Sequence, residues 1–328
     1  MRAFSYFFYA ALLLFPGCKN EPTTQANASD TVVMQTAVSN MSAAPKLVKK
    51  FLFDASKAET AGNADWIIDA DNKKVQQLPT PAQSGIKTNT PENFWLGGIS
   101  SWGIALVKLG YTVSSLPAGI AISYGNAANP QDLSQYDVFI VDEPNVRFST
   151  TEKKAILDFV KNGGGLCMIS DHTQSDRNND GWDSPAIWND LMSTGGLVNN
   201  PFGFKFDLTN IVQLSNNVLS GHAGNVILHG SQGNVAQLDF HNGATLTLTP
   251  AANAAVQGLV WKKSAVQDNR NLLCVSSVYG KGRVFAVADS SPMDDGTGAA
   301  GDRLFNGWTT YSHIPLFMNA SLWLAKLQ

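Results

Sequence analysis

The chain is short of most features that would place it quickly. Three cysteines in 328 residues exclude a disulfide-stapled scaffold and a zinc ribbon. Charged residues are only 15%, and 23 Lys+Arg against 26 Asp+Glu leave a formal net charge of -3. That balance excludes a dedicated nucleic-acid binder, which needs a basic excess to follow a phosphate backbone. Histidine numbers five, and His222, His229 and His241 are spaced without a metal-ligand pattern. The N-terminal apolar stretch, residues 7–15, is well short of the roughly 20 residues a permanent bilayer span requires. What is abundant is apolar matter: 44% of residues are hydrophobic, enough for a sizeable core.

Arg2 followed by the apolar stretch has the form of a secretory signal. It closes on Gly17 and Cys18, and a small residue before a cysteine resembles a bacterial lipobox. The resemblance implies cleavage after residue 17 and lipidation of Cys18. The protein would then sit in the bacterial cell envelope, membrane-anchored in the periplasm or at the outer-membrane surface. Residues 18–47, rich in Asn, Thr, Ser, Ala and Gln, are expected to be a flexible tether. The folded domain is then 48–328. Its two cysteines, Cys167 and Cys274, lie in apolar strand-like runs and are expected to be buried free thiols.

Short continuous apolar runs at 48–53, 136–141, 166–170 and 283–288 suit strands covered on both faces, with a weaker one at 111–116. Helices are expected over 93–109, from the capping-box pattern at Ser149 to Glu152 through Lys161, and from about Pro315 to Lys326. The alternation predicts an α/β fold, doubly wound around a mostly parallel sheet. Residues 197–265 break the alternation and are expected to form a β-rich insertion. Runs 272–278 and 283–288 around Gly280 predict a hairpin, with an antiparallel strand at one sheet edge.

The segments 139–144, 163–172 and 279–289, with a closing helix, resemble the class I glutamine amidotransferase-like superfamily, which has a flavodoxin-like fold. The resemblance covers most of 48–328 at the level of fold. Amidotransferase activity itself needs a nucleophilic cysteine on a Gly-flanked turn and a His-x-Glu. Cys167 is instead second in a strand, and no histidine is followed two residues on by Glu. The implication is a secreted member of the superfamily that is not an amidotransferase.

Four of the apolar runs end in aspartate: Asp54, Asp142, Asp171 and Asp289. In a parallel sheet their ends emerge on one edge, where open α/β folds bind ligands. Ser56, Glu59, Glu143, Asn145, His172, Ser290, Asp294 and Asp295 follow closely. Four neighbouring strands span about 14 Å, so one ion cannot touch all four carboxylates. Asp54, Asp142 and Asp171 are the expected group. Asp176, Asn178 and Asp180, followed by Gly181, match the opening of a calcium loop, with Trp182 offering its carbonyl and Asp183 or Asp190 standing in for a missing twelfth-position Glu. An Asx-rich turn capping a helix near Pro185 is the structural alternative. His172 and His313 are candidate proton carriers. Trp66, Trp95, Trp182, Trp188 and Trp308 lie near polar loops and are candidate sugar platforms if exposed. Two functions are consistent with this pattern. One is a metal-assisted hydrolase of a glycan, ester or phosphoester using Asp54, Asp142, Glu143, Asp171, His172, Asp289 and His313. The other is a non-catalytic, calcium-stabilised glycan-binding module.

Overall fold

A computed structural model describes residues 48–61, 65–70, 75–193, 199–221, 223–302 and 305–328. The signal, Cys18, the tether and His222 lie outside them. Residues from Leu47 onward form one compact unit. No helix among the described residues is long and apolar enough to cross a membrane.

The expected α/β fold is present, with a flavodoxin-like sheet. Strands β1 (Lys50–Ala55), β2 (Thr112–Pro117), β3 (Val138–Asp142), β4 (Gly165–Ile169) and β14 (Gly282–Val287) run parallel in the order β2-β1-β3-β4-β14. Phe51, Leu52, Val138 to Val141 and Leu166 to Ile169 are buried on both sides, which is why these strands are continuous apolar runs rather than alternating ones. Helices α1 (Ser100–Lys108) and α4 (His313–Leu324) pack together through Trp102 and Phe317, ring centroids 5.3 Å apart. Helices α2 (Thr150–Asn162) and α3 (Ser184–Ser193) are joined by the Lys153–Asp190 ion pair at 2.6 Å. Right-handed crossovers toward opposite edges place α1 and α2 on opposite faces.

Local signals were honoured where they were strong. Ser149 and Glu152 form a complete capping box on α2, and the helix stops at Gly163 with φ 126, open to glycine and strained for other residues. The expected helix over 93–109 begins only at Ser100. Before it, Gly98 N–H and Ile99 N–H donate to the carbonyls of Asp65 and Ile67, so this segment pairs with 65–70 instead of coiling. A Cβ on Gly97 would lie 2.4 Å from the Ile67 carbonyl oxygen, so the close approach requires glycine.

The hairpin of β13 (Leu272–Tyr279) with β14 forms as expected, but β13 is not an edge. Its other side pairs with β11 (Leu246–Leu248) and β12 (Gln257–Trp261), and β11 pairs with β5 (Phe204–Phe206). Strand β7 (Asn217–Val218) pairs with β12. The β-rich insertion therefore extends the main sheet. Its remaining strands, β6 (Ile211–Ser215) with β10 (Leu238–Gly243) and β8 (His229–Gly230) with β9 (Gly233–Asn234), form two ribbons of their own.

Candidate functional site

β1, β3, β4 and β14 are consecutive neighbours, and parallel register brings Asp54, Asp142, Asp171 and Asp289 to the same edge. All four are buried. They do not form one group. Asp54 belongs with Glu59: its Oδ1 accepts the Ser56 N–H and hydroxyl, while its Oδ2 and Glu59 Oε1 are buried with no donor. Burial raises the proton affinity of both carboxyls, that of Glu59 strongly, and a proton shared between them resolves the contact. The expected trio of Asp54, Asp142 and Asp171 is thus split.

The second group is denser. Asp142, Glu143, Asp171, Asp289 and Asp294 act on one another electrostatically around a single guanidinium, Arg177. Arg177 Nε donates to Glu143 at 2.9 Å and a terminal nitrogen donates to Asp171 at 3.2 Å. Its guanidinium lies 4.1 Å from the centroid of the Trp66 ring, and the Trp66 N–H faces Asp294 without closing a hydrogen bond. Glu143 is held at φ 42, an uncommon backbone for a residue with a side chain, and Ser290 donates to its other oxygen. Five carboxyls cannot all stay ionised in a dry site around one cation. Burial, then the Glu143 charge, pushes Asp142, Asp171 and Asp294 well above the carboxylate range. Asp289 is pushed up to about 7 by burial, although the Ser291 and His241 N–H groups both stabilise its anion. Asp142 is the extreme case: neither carboxyl oxygen has a donor.

Arg177 is the residue that sequence reasoning overlooked. It was visible only as the variable second position of the calcium-like motif. The motif builds the turn that aims it. Asp176 accepts the N–H groups of Asp180 and Gly181, Asn178 Oδ1 accepts that of Asp180, and Asp180 Oδ1 accepts that of Trp182. Asn145, buried, pins the turn by accepting the Arg177 N–H at 2.7 Å and, through its carbonyl, the Asn178 amide. A carboxylate has about four lone-pair sites, so Asp176 and Asp180 retain acceptor capacity beyond these bonds. Asp183 leaves the expected ligand set. Its oxygens take the Ala186 N–H at the start of α3, the Gln174 N–H and the Thr173 hydroxyl, which makes it a helix cap. Asp190 is spent on Lys153 and Arg147. Trp182 stacks beneath Arg147, 3.8 Å from ring centroid to guanidinium. Among the described residues no group of three or more His, Cys, Asp and Glu is arranged to hold a metal ion.

The two histidines differ. His172 sits at the mouth with its side chain 23% exposed. Its Nδ1 is 2.5 Å from the Thr173 carbonyl, which fixes that nitrogen as an N–H donor and leaves Nε2 facing Asp171 Oδ2 at 3.7 Å. His313 is corrected to a core residue. It is fully buried, its Nδ1 donates to the Gly307 carbonyl, and its Nε2 accepts the Asp239 N–H. Burial lowers its pKa to about 4. The tryptophans are also corrected: Trp66, Trp95, Trp188 and Trp308 are buried, and Trp182 is half-buried, so none of these five presents an open ring face. Asp295, grouped with the edge by sequence, caps α1 by accepting from Ser100 and Ser101. Cys167 and Cys274 are buried free thiols whose proton affinity burial raises, as expected.

No family model and no curated protein matches the chain. Among solved structures, the N-terminal domain of mmIFT52 aligns with a TM-score of 0.51 at 12% identity, covering 84% of this chain and 97% of that one. A ThuA-like protein from Parabacteroides merdae aligns at 0.42 and 13%, covering 86% and 91%. An exo-beta-1,4-mannosidase from Opitutaceae bacterium strain TAV5 aligns at 0.36 and 11%, covering 75% of this chain and 32% of that one. At these identities the first likeness is one of fold.

Proposed function

We propose that the chain is an envelope hydrolase, lipid-anchored through Cys18, that cleaves a neutral glycan or ester by general acid–base catalysis at the carboxyl-rich sheet edge. The observation that carries this is the pairing of Asp171 and His172 at the mouth. One is a carboxyl whose proton affinity burial and the Glu143 charge raise, the other an imidazole whose Nδ1 is held on the Thr173 carbonyl so that Nε2 faces that carboxyl. His172 Nε2 takes a proton from water, whose oxygen attacks the electrophilic carbon. Asp171 gives its proton to the departing oxygen. Transfer from His172 back to Asp171 across their 3.7 Å separation restores both. Burial, then the charges of Glu143 and Asp289, favour the proton on Asp171. The Glu143–Arg177 pair sets its position. So many carboxyls repel an anionic substrate, which disfavours the phosphoester.

Calcium fits this scheme as a structural ion. Asp176, Asn178 and Asp180 would supply oxygens and water the remainder, stiffening the turn that aims Arg177. No proton transfer depends on it.

The test is a panel of neutral glycosides and activated esters. On any substrate turned over, Asp171→Asn and His172→Ala each lower kcat by about 10²- to 10⁴-fold. A folded protein inert across the panel, with and without calcium, defeats the hydrolase. For the ion, calcium should raise the unfolding temperature of the parent and not of Asp180→Ala.

A further inference from the structure

The net charge of -3 conceals a polar distribution of charge. The acids crowd the C-terminal edge of the sheet. The opposite edge, where β1, β4 and β14 begin, collects Lys49 just ahead of β1 and Lys50 at its start, Lys161 at the end of α2, Lys281 in the β13–β14 turn, Arg283 at the start of β14, and Lys326 after α4. Lys50, Lys161, Lys281 and Lys326 are exposed. These cations feel one another: after burial, the charges of Arg283, Lys49 and Lys281 lower the proton affinity of Lys326, against Asp137 alone. Asp137 is engaged by Lys49 at 2.8 Å.

The same face carries exposed apolar side chains. Val48 is 50% exposed, Val278 40% and Leu327 37%. Val278 stands directly opposite Arg283 in the hairpin, and Leu327 follows Lys326. Cations ringing exposed aliphatic groups are what an interfacial membrane surface uses: apolar groups enter the headgroup boundary while lysines meet anionic lipid. The place where the chain joins the domain selects this partner. Residues 1–47 lead into the fold at Val48, on this face.

We infer that the face formed by Val48, Lys50, Lys161, Val278, Lys281 and Lys326 docks on an anionic bilayer surface, turning the acidic edge away from the membrane. The contact is distinct from the anchor, because it rests on charge and exposed aliphatics in the folded domain. It is also independent of hydrolysis.

The test uses the full chain with Cys18→Ser, so that lipidation plays no part, and co-sedimentation with neutral phosphatidylcholine vesicles or vesicles containing about 30% phosphatidylglycerol. Residues 1–47 are constant across variants, so their contribution cancels in the comparison. The parent should bind anionic vesicles at least tenfold more tightly than neutral ones, and lose that preference between about 0.1 M and 0.5 M salt. K50E/K281E/K326E should abolish the preference, with K50Q/K281Q/K326Q intermediate. K205E/K263E/R270E makes the same charge change on exposed residues around the opposite end of β13 and should retain the preference. Equal binding to both vesicles, equal losses in both triple variants, or capture by heparin without vesicle binding would each overturn the inference.

Discussion

At the scale of single residues, the site is governed by a shortage of positive charge. Asp142 is buried with two unpartnered oxygens beside Glu143, Asp289 and Asp294, so it stays neutral or is compensated by a bound cation. An amide copies the shape of the neutral acid. If a proton is the answer, Asp142→Asn should leave stability unchanged below about pH 4 and raise it at pH 8, where the parent must hold that proton against solvent. If a cation is the answer, the variant is less stable and a chelator lowers the unfolding temperature of the parent alone. Thermal unfolding at two pH values, with and without chelator, separates them. Arg177 is the complementary case. Removing it strands the Glu143 carboxylate, and Arg177→Ala should cost about 3 kcal/mol, the range for breaking a buried pair. Arg177→Lys should recover only part. An ammonium does not reproduce the two-acid fork or the stack on Trp66. Urea unfolding of both variants checks the ranking.

At the scale of elements, caps decide which segments are helical and which hold the site. The Ser149 capping box was legible because both partners lie within four residues, and Ser149→Ala should cost about 1 kcal/mol. Asp183 was misassigned because its partners, Thr173, Gln174 and Ala186, are set by a turn the sequence does not display. Asp183→Ala should cost about 1–2 kcal/mol, because it removes a helix cap and a link between the His172 segment and α3. With calcium absent from both samples, that loss is expected in full, which distinguishes a cap from an ion ligand. The start of α1 was misplaced for a similar reason. Asp295, almost two hundred residues away, supplies the cap, and the glycines before it pair with 65–70. Long-range caps and backbone pairing leave no local trace. Strand ends did: four aspartates after four apolar runs located the carboxyl-rich edge. Their division into two groups depends on Glu59 and Asp294, which reach the edge through loops.

At the scale of the whole molecule, these groups give stability a defined pH profile. Asp289 binds its proton more tightly folded, at about 7 against an ordinary 3.8, so the folded state holds more protons than the unfolded chain between those values. Its contribution is fully present below about pH 4 and is lost as pH rises through 7, a change of about 4 kcal/mol from this group alone. Asp142, Asp171 and Asp294 act in the same direction. His313 acts in the opposite one. It is held neutral down to about 4 against an ordinary 6.5, so its contribution is present above 6.5 and declines as pH falls through 4, by about 3 kcal/mol. Between about pH 4 and 6.5 the His313 gain offsets the Asp289 loss and leaves those of Asp142, Asp171 and Asp294 uncompensated, so stability should be highest near pH 4 and fall along one long alkaline limb. His313→Gln keeps a donor and an acceptor for Gly307 and Asp239 and should steepen the decline between about pH 4 and 6.5 while leaving the slope above 7 unchanged. Asp142→Asn removes one proton that the folded state must hold and should make the decline shallower. A curve with no alkaline fall would mean that the carboxyl edge is charge-balanced by something other than protons. The alkaline limb is the useful one to explain. A carboxyl cluster this deeply buried weakens the fold where its protons leave, and a fold with no use for those protons would gain from apolar side chains in their place.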